Sequence, residues 1–406
     1  MTATQREDPS VSGPAAPRLA WLDALRGLGA LAVVAEHLLT WAIPWLRPYW
    51  FNLGLYGVLV FFLVSGYIIP TSLERRGDVR AFWLGRFFRL YPLYLAVIAV
   101  MLAFAWWLPV REQVPREAAS AASHATMLLD VVGVGGIADT MWTLSYEMVF
   151  YLLVTALFVT GVREGRGLAA VLFALAAVAA GVLLAAPPLS GGWLGWASAA
   201  VFALGLAAVV SGAVPGPVRV AGGCALGLMA LALLLLSSRV PWFGAAVVAV
   251  MFAGTAIQRW ERGTGTLWPV ALTSALLAIA PVWAIDAGWW WVQPRVWLTT
   301  LALAAATFAG AMLLRGRRVP HPLVWLGVIS YSLYLLHHPL LTATIKVTGD
   351  LRWSPVALQF GVAAAFLLVT VLVSWLSHRY LEQPMQAYGR RLAGRFKPLR
   401  GVDSGR

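Results

Sequence analysis

Apolar runs of about twenty residues recur along most of this chain, and nothing else in it constrains the fold as tightly. A helix of that length crosses the hydrocarbon of a bilayer, so the pattern predicts a polytopic helical membrane protein. Twelve candidate spans emerge at 19–41, 52–71, 89–110, 142–161, 167–186, 193–211, 217–238, 242–260, 266–285, 296–314, 323–346 and 356–381. Prolines that punctuate helices fall mostly between them, among them Pro187, Pro215, Pro241, Pro294, Pro320 and Pro355. Composition agrees: the chain is 60% hydrophobic and only 12% charged, about half the charge of a soluble protein. The expected fold is an all-α transmembrane bundle of about ten to twelve spans.

The net charge of +13 does not point to nucleic acid, because the arginines cluster in short loops and the tail. One set of loops carries Arg75, Arg76, Arg80 and Arg86, then Arg163 and Arg166, Arg219, Arg259 and Arg262, Arg315 to Arg318, and the C-terminal tail. The alternate loops are short, neutral or mixed. The positive-inside rule places the first set in the cytoplasm, with both termini. Residues 1–18 read as a disordered cytoplasmic tail, 19–386 as the membrane domain and 387–406 as a basic cytoplasmic tail. The long loop at 111–141 is expected on the outer side, lying on the membrane or capping a cavity. Trp289, Trp290 and Trp291 read as an interfacial belt. The one cysteine, Cys224, permits neither a disulfide framework nor a zinc cluster, and no metal site is expected.

Ionisable groups inside spans are costly and usually face a polar cavity or a functional path. In the first span, Arg26 and His37 lie eleven residues apart, almost three whole helical turns, so they share a face with Ala30 and Val33 across roughly 16 Å. Asp23 stands one turn before Arg26 and is placed to neutralise it. Glu147 lies about one turn inside the fourth span and needs a partner. His337 and His338 lie past the middle of the eleventh. Arg86 and Arg89 stand where the third span leaves the cytoplasm; they read either as topology anchors or, at i and i+3, as a phosphate clamp. One carboxylate and up to three imidazoles are thus expected to converge in the outer half, opposite paired arginines.

Six segments in order carry a family resemblance: LDALRGLGALAVVAEH, FFLVSGYIIP, RFFRLYP, MWTLSYEMVFYLL, WLGVISYSLYLLHHP and RYLEQP. Together they resemble the acyltransferase-3 family of integral membrane acyltransferases, from about residue 19 to 386; the stretch 165–320 is only generically similar. The resemblance implies a multi-pass protein of the cell membrane. It would transfer an acyl group, often acetyl, from cytoplasmic acyl-coenzyme A to a hydroxyl of a glycan, a lipid-linked glycan or a macrolide-type natural product. By the family pattern, Arg26 and His37 form the core site and Arg86 and Arg89 serve the donor. Glu147, Ser330, Tyr331 and His337 match further motif positions, and Asp23 and Glu382 lie in the first and last motifs. The absence of a recognisable second transferase after residue 386 leads us to expect none.

In the mechanism this implies, His37 removes a proton from the acceptor hydroxyl or is itself briefly acylated, since imidazole titrates near working pH. Glu147 would orient the imidazole, and Arg26 or Tyr331 would stabilise the oxyanion. The competing class is a transporter or flippase for a lipid-linked or antibiotic cargo. Against it, the sequence has no internal two-fold repeat and no paired broken spans.

Overall fold

The computed structural model describes residues 19–108, 110–112, 114–162, 165–184, 186–396 and 398–399, without the Arg166 side chain. The N-terminal tail, Arg163 and the last residues of the basic tail lie outside them. The described residues form helices and no strands: α1 Ala20–Ala42, α2 Leu53–Arg76, α3 Val79–Ala103, α4 Ala118–Ala125, α5 Trp142–Val159, α6 Arg166–Leu183, α7 Trp193–Val210, α8 Gly216–Leu236, α9 Pro241–Glu261, α10 Trp268–Ile279, α11 Pro294–Leu313, α12 His321–Val328, α13 Ser330–Thr348, α14 Val356–Ser377 and, after one π turn, α15 Gln383–Ala393. Nine helical segments among them are long and apolar enough to cross a membrane, ten if α12 and α13 count as one broken span. The other two candidate spans are α1, which carries four titratable side chains, and the shorter α6.

Local chemistry sets the boundaries. The Asn52 side chain accepts from the Leu55 amide and starts α2. Gly77, left-handed at φ 62°, ends α2, and Asp78 at once caps α3 through the Arg80 and Ala81 amides. The eleventh expected span is not one helix but two, bent by 70° at Ile329. No proline stands at the break; Pro339 lies inside α13. The bend instead accompanies a close crossing of α12 on α1. A Cβ on Gly327 would come within 1.8 Å of the Asp23 carbonyl oxygen, and one on Gly27 within 2.5 Å of that of Leu323. Small residues let helix backbones touch in this way in lipid.

α2, α5 and α9 form the centre, with 72–89% of their apolar windows buried, against 22–33% for α3, α7, α8, α10, α11 and α14. α1 packs against α2 and α12. Loop contacts define two ends. At one, Thr299 donates to the Trp50 carbonyl at 2.5 Å, Ser237 to that of Val131 at 2.5 Å, and Trp45 to Gln359 at 3.1 Å. At the other, Arg80 donates to the Val210 carbonyl at 2.7 Å and the Leu399 amide to Asp78 at 3.2 Å. α15 carries the chain past residue 386 and lies on α3, with the Tyr388 and Phe88 rings 5.3 Å apart.

Candidate active site

Arg26 of α1, Arg89 of α3, Glu147 of α5, and Ser330 and Tyr331 at the start of α13 meet around one inner cavity of about 70 Å³. Asp23 stands 3.8 Å from the Arg26 guanidinium. Glu147 accepts a hydrogen bond from the Tyr151 hydroxyl, and the Tyr151 ring faces the Arg86 guanidinium at 5.3 Å. Five residues scattered over three hundred positions of sequence thus form one charge-dense pocket. The break at Ile329 is what turns the first residues of α13 towards it.

His37 belongs to a second, outer cavity of about 570 Å³, built by α1, the ends of α2, α5 and α9, and the loops at 111–141 and 280–293. Val58 and Tyr334 line both cavities and stand between them. The Tyr334 hydroxyl accepts from Thr143 at 2.8 Å and donates to the Thr140 carbonyl at 3.1 Å, which fixes this partition. The helical face shared by Arg26 and His37 therefore runs from the inner cavity to the outer one.

The three imidazoles converge. His37 lies between the other two rings, with centroids 5.1 Å from His337 and 5.8 Å from His338. Its Nδ1 is 2.9 Å from the Val33 carbonyl and 3.3 Å from His337 Nε2. His337 Nδ1 is 3.1 Å from the Leu333 carbonyl. Carbonyls only accept, so both Nδ1 atoms carry the proton in the neutral rings. His337 Nε2 is then an acceptor for His37 Nδ1–H, and His37 Nε2 is left as a free base. An imidazolium at His37 keeps both of these acceptors.

The outer cavity has a compensated charge pattern. Glu36 accepts from Arg47 at 2.5 and 2.9 Å, Arg111 lies 2.5 Å from Asp139, and Arg239 lies 4.0 Å from Asp130. The Tyr146 hydroxyl donates to Asp130 at 2.7 Å. Burial pushes the Asp130 carboxyl above the ordinary carboxylate range, with the Tyr146 hydrogen bond and Arg239 opposing it. Glu36 Oε2 is buried without a hydrogen-bond partner. Trp142, Phe243, Trp289 and Trp291 supply aromatic wall.

Arg86 does not share the inner cavity. With Arg80, Trp83 and Phe87 it lines a third cavity of about 800 Å³ between α3, α5 and α7, open towards the end where Ser211 and Phe396 lie. Leu90 lines both this cavity and the inner one. The i, i+3 pair expected to clamp one group is thus divided: Arg89 faces inwards and Arg86 sideways.

Set against the sequence, two expectations of contact change. Glu147 lies in the inner cavity with Arg26 and Arg89, one compartment away from His37, and His337 holds the orienting place. The Tyr331 hydroxyl donates to the Leu90 carbonyl at 2.7 Å and is engaged there, while Arg26 is paired with Asp23 at 3.8 Å. Glu382 is buried between Ser332, which donates to it, and His378 at 3.4 Å; it ties the last motif to α13. Trp289 and Trp291 line the His37 cavity, and Trp290 stacks over Arg47 at 4.4 Å, contacts that an interfacial belt alone does not call for. Sequence reasoning assigned no role to Glu36 or to Tyr334. Glu36 meets the criterion that singled out Glu147, a carboxylate inside a span. Tyr334 stands one turn before His337 on the same face.

The acyltransferase-3 family model, described as an acyltransferase domain, matches residues 19–379. The chain is 25% identical over 397 residues to the peptidoglycan O-acetyltransferase OatA of Listeria monocytogenes, covering 91% of this chain and 56% of that protein. It is 27% identical over 410 residues to the acyltransferase MdmB of Streptomyces mycarofaciens, covering 95% of both. The chain therefore spans about half the length of the first relative and nearly all of the second. No solved structure matches it significantly. A bundle of apolar helices with charged and imidazole side chains gathered at its centre, matched by one family model over nearly its whole length, identifies the protein as a multi-pass membrane member of the acyltransferase-3 family.

Proposed function

We propose that the protein is an O-acyltransferase that moves an acyl group, in the simplest case acetyl, from acyl-coenzyme A to a hydroxyl of a glycan or glycosylated macrolide-type acceptor. The observation that carries this reading is the succession of three cavities joined by shared residues, Leu90 and then Val58 with Tyr334, with His37 just beyond the last junction. The names of the relatives support it: one acts on peptidoglycan and both transfer acyl groups. The arginine-rich loops favour a cytoplasmic Arg86 end, with both termini on that side.

In this reading the donor's phosphates rest at the Arg80 and Arg86 end, and its acyl arm reaches past Leu90 into the inner cavity. At about 70 Å³ that cavity holds only a few waters. Passage requires the Phe61 and Tyr334 rings, 5.9 Å apart, to shift. His37 Nε2 takes the proton of the acceptor hydroxyl, and the oxygen attacks the thioester carbonyl. Attack gives a tetrahedral oxyanion on the His37 side of Tyr334, one compartment away from Arg26. As it collapses the carbon–sulfur bond breaks, and the thiolate takes the proton back from His37. His337 Nε2 and the Val33 carbonyl hold the imidazolium by Nδ1–H in the interval. Glu147 balances Arg26 and Arg89 rather than His37.

Acetyl-coenzyme A binding to the purified protein tests the reading without knowledge of the acceptor. Saturable binding that the Arg86→Ala/Arg89→Ala double variant loses is expected. A folded wild type that binds neither acetyl- nor longer acyl-coenzyme A contradicts it.

A further inference from the structure

We propose that the outer cavity is a recognition site for an uncharged glycosyl ring, which stacks on the Trp289 indole, itself backed by Trp291, and is held by Glu36 beside His37. The inference rests on the acyl-transfer reading and adds the chemistry of the acceptor, which that reading leaves open between different glycans.

Three observations carry it. The first is flatness. The Trp289 and Trp291 rings stack nearly parallel, 10° apart in plane and 5.6 Å between centroids, and Trp291 is backed by Phe243 at 5.2 Å and Trp242 at 5.9 Å. Trp289 is 40% exposed at the cavity edge. A buttressed indole stack is a rigid apolar plate, suited to the flat C–H face of a sugar ring.

The second is an unused acceptor. Glu36 is nine-tenths buried, adjacent in sequence to the proposed base and inside the same cavity. Arg47 occupies its Oε1, and Arg47 is itself pinned over Trp290. Oε2 has no partner. A buried carboxylate oxygen requires a donor, and a sugar hydroxyl next to the one facing His37 supplies it.

The third is charge. Each carboxylate of the cavity faces an arginine: Glu36 with Arg47, Asp139 with Arg111, Asp130 with Arg239. Among the described residues of the cavity, no surplus cation is left for a phosphate or uronate, and no surplus anion for an ammonium group. A polyhydroxylated neutral ring satisfies such a wall without disturbing the pairs. The volume of about 570 Å³ lies within the range of small-molecule sites, roughly 300–1,000 Å³.

The test is calorimetric titration of the full chain in detergent with methyl glycosides of N-acetylglucosamine and of glucose. Methyl glucuronide serves as the anionic probe and cyclohexanol as the sugar-free one. Acetyl-coenzyme A binding is measured on every sample. We expect a neutral glycoside to bind saturably, about tenfold more weakly to Trp289→Ala, with Trp289→Phe close to wild type because it keeps a flat ring. Donor binding stays at the wild-type value throughout. The proposal is overturned if methyl glucuronide or cyclohexanol binds as well as the neutral glycosides, if Trp289→Ala binds them like wild type, or if neither glycoside binds a protein that still binds acetyl-coenzyme A. A protein that binds neither donor nor glycoside removes the acyl-transfer reading beneath it as well.

Discussion

The two cavities on either side of Tyr334 are built to opposite specifications. The inner one is cramped, about 70 Å³, and is walled by Arg26, Arg89 and Glu147, with Asp23 3.8 Å from Arg26. The outer one is eight times larger, pairs each of its carboxylates with an arginine, and holds the free imidazole nitrogen. A narrow chamber shielded from water suits the acyl arm of the donor. A wide, charge-balanced, aromatic chamber suits a neutral polyhydroxylated molecule. The contrast teaches that the helix α1 face bearing Arg26 and His37 is less one site than a bridge between two: a paired cation in one chamber and an imidazole at the mouth of the other.

The sharpest way to break this division is His37→Ala. Removing a positioned base should lower the rate of transfer by about 10²–10⁴-fold, with acetyl-coenzyme A binding retained, since His37 lies outside the inner cavity. A variant that transfers at the wild-type rate would leave the outer chamber without a chemical role. Next in size, Arg86→Ala should weaken donor binding by about tenfold or more, the worth of hydrogen bonds to a charged group, and leave acceptor affinity alone, with a smaller loss for Arg89→Ala. If Arg89→Ala weakens donor binding as much as Arg86→Ala, the inner cavity holds the phosphates and not the acyl arm, which would break the contrast.

Gly327→Ala tests whether the bridge needs its scaffold. The added methyl would meet the Asp23 carbonyl at 1.8 Å, so α12 must part from α1, at a cost of about 1–3 kcal/mol. Its melting temperature should fall, and donor binding and transfer should decline together because Arg26 and His37 share α1. The smallest effect is expected at Arg352, whose exposed pair with Asp350 lies outside both chambers. Arg352→Ala should match wild type in stability and transfer, as exposed pairs contribute little. A clear loss there would mean that surface charge matters where we assign the effect to the cavities.

Much of this was legible in the residues. Span length and apolarity located the nine long apolar helices among the described residues, and the broken α12–α13 pair, because hydrocarbon leaves a backbone little choice. The face shared by Arg26 and His37 follows from helical periodicity alone. The convergence of the three imidazoles was foreseeable as a common depth. What periodicity does not carry is which helix touches which. Glu147 was expected beside His37 because both lie in the outer half, yet Tyr334, fixed by Thr140 and Thr143, stands between their chambers. The break at Ile329 was invisible because it comes from a glycine contact with α1 and not from a proline. Trp289 and Trp291 read as a lipid belt since sequence shows a depth but not a direction. Glu36 was missed for no physical reason; the logic applied to Glu147 covered it.

The central claim is that donor and acceptor approach His37 from opposite ends of the bundle. It is tested most directly in proteoliposomes of known orientation, with labelled acetyl-coenzyme A confined to one side and the glycoside acceptor to the other. The account predicts transfer only when the donor is on the side of Arg86 and the acceptor on the side of Trp289. Transfer with both substrates confined to the same side would contradict it.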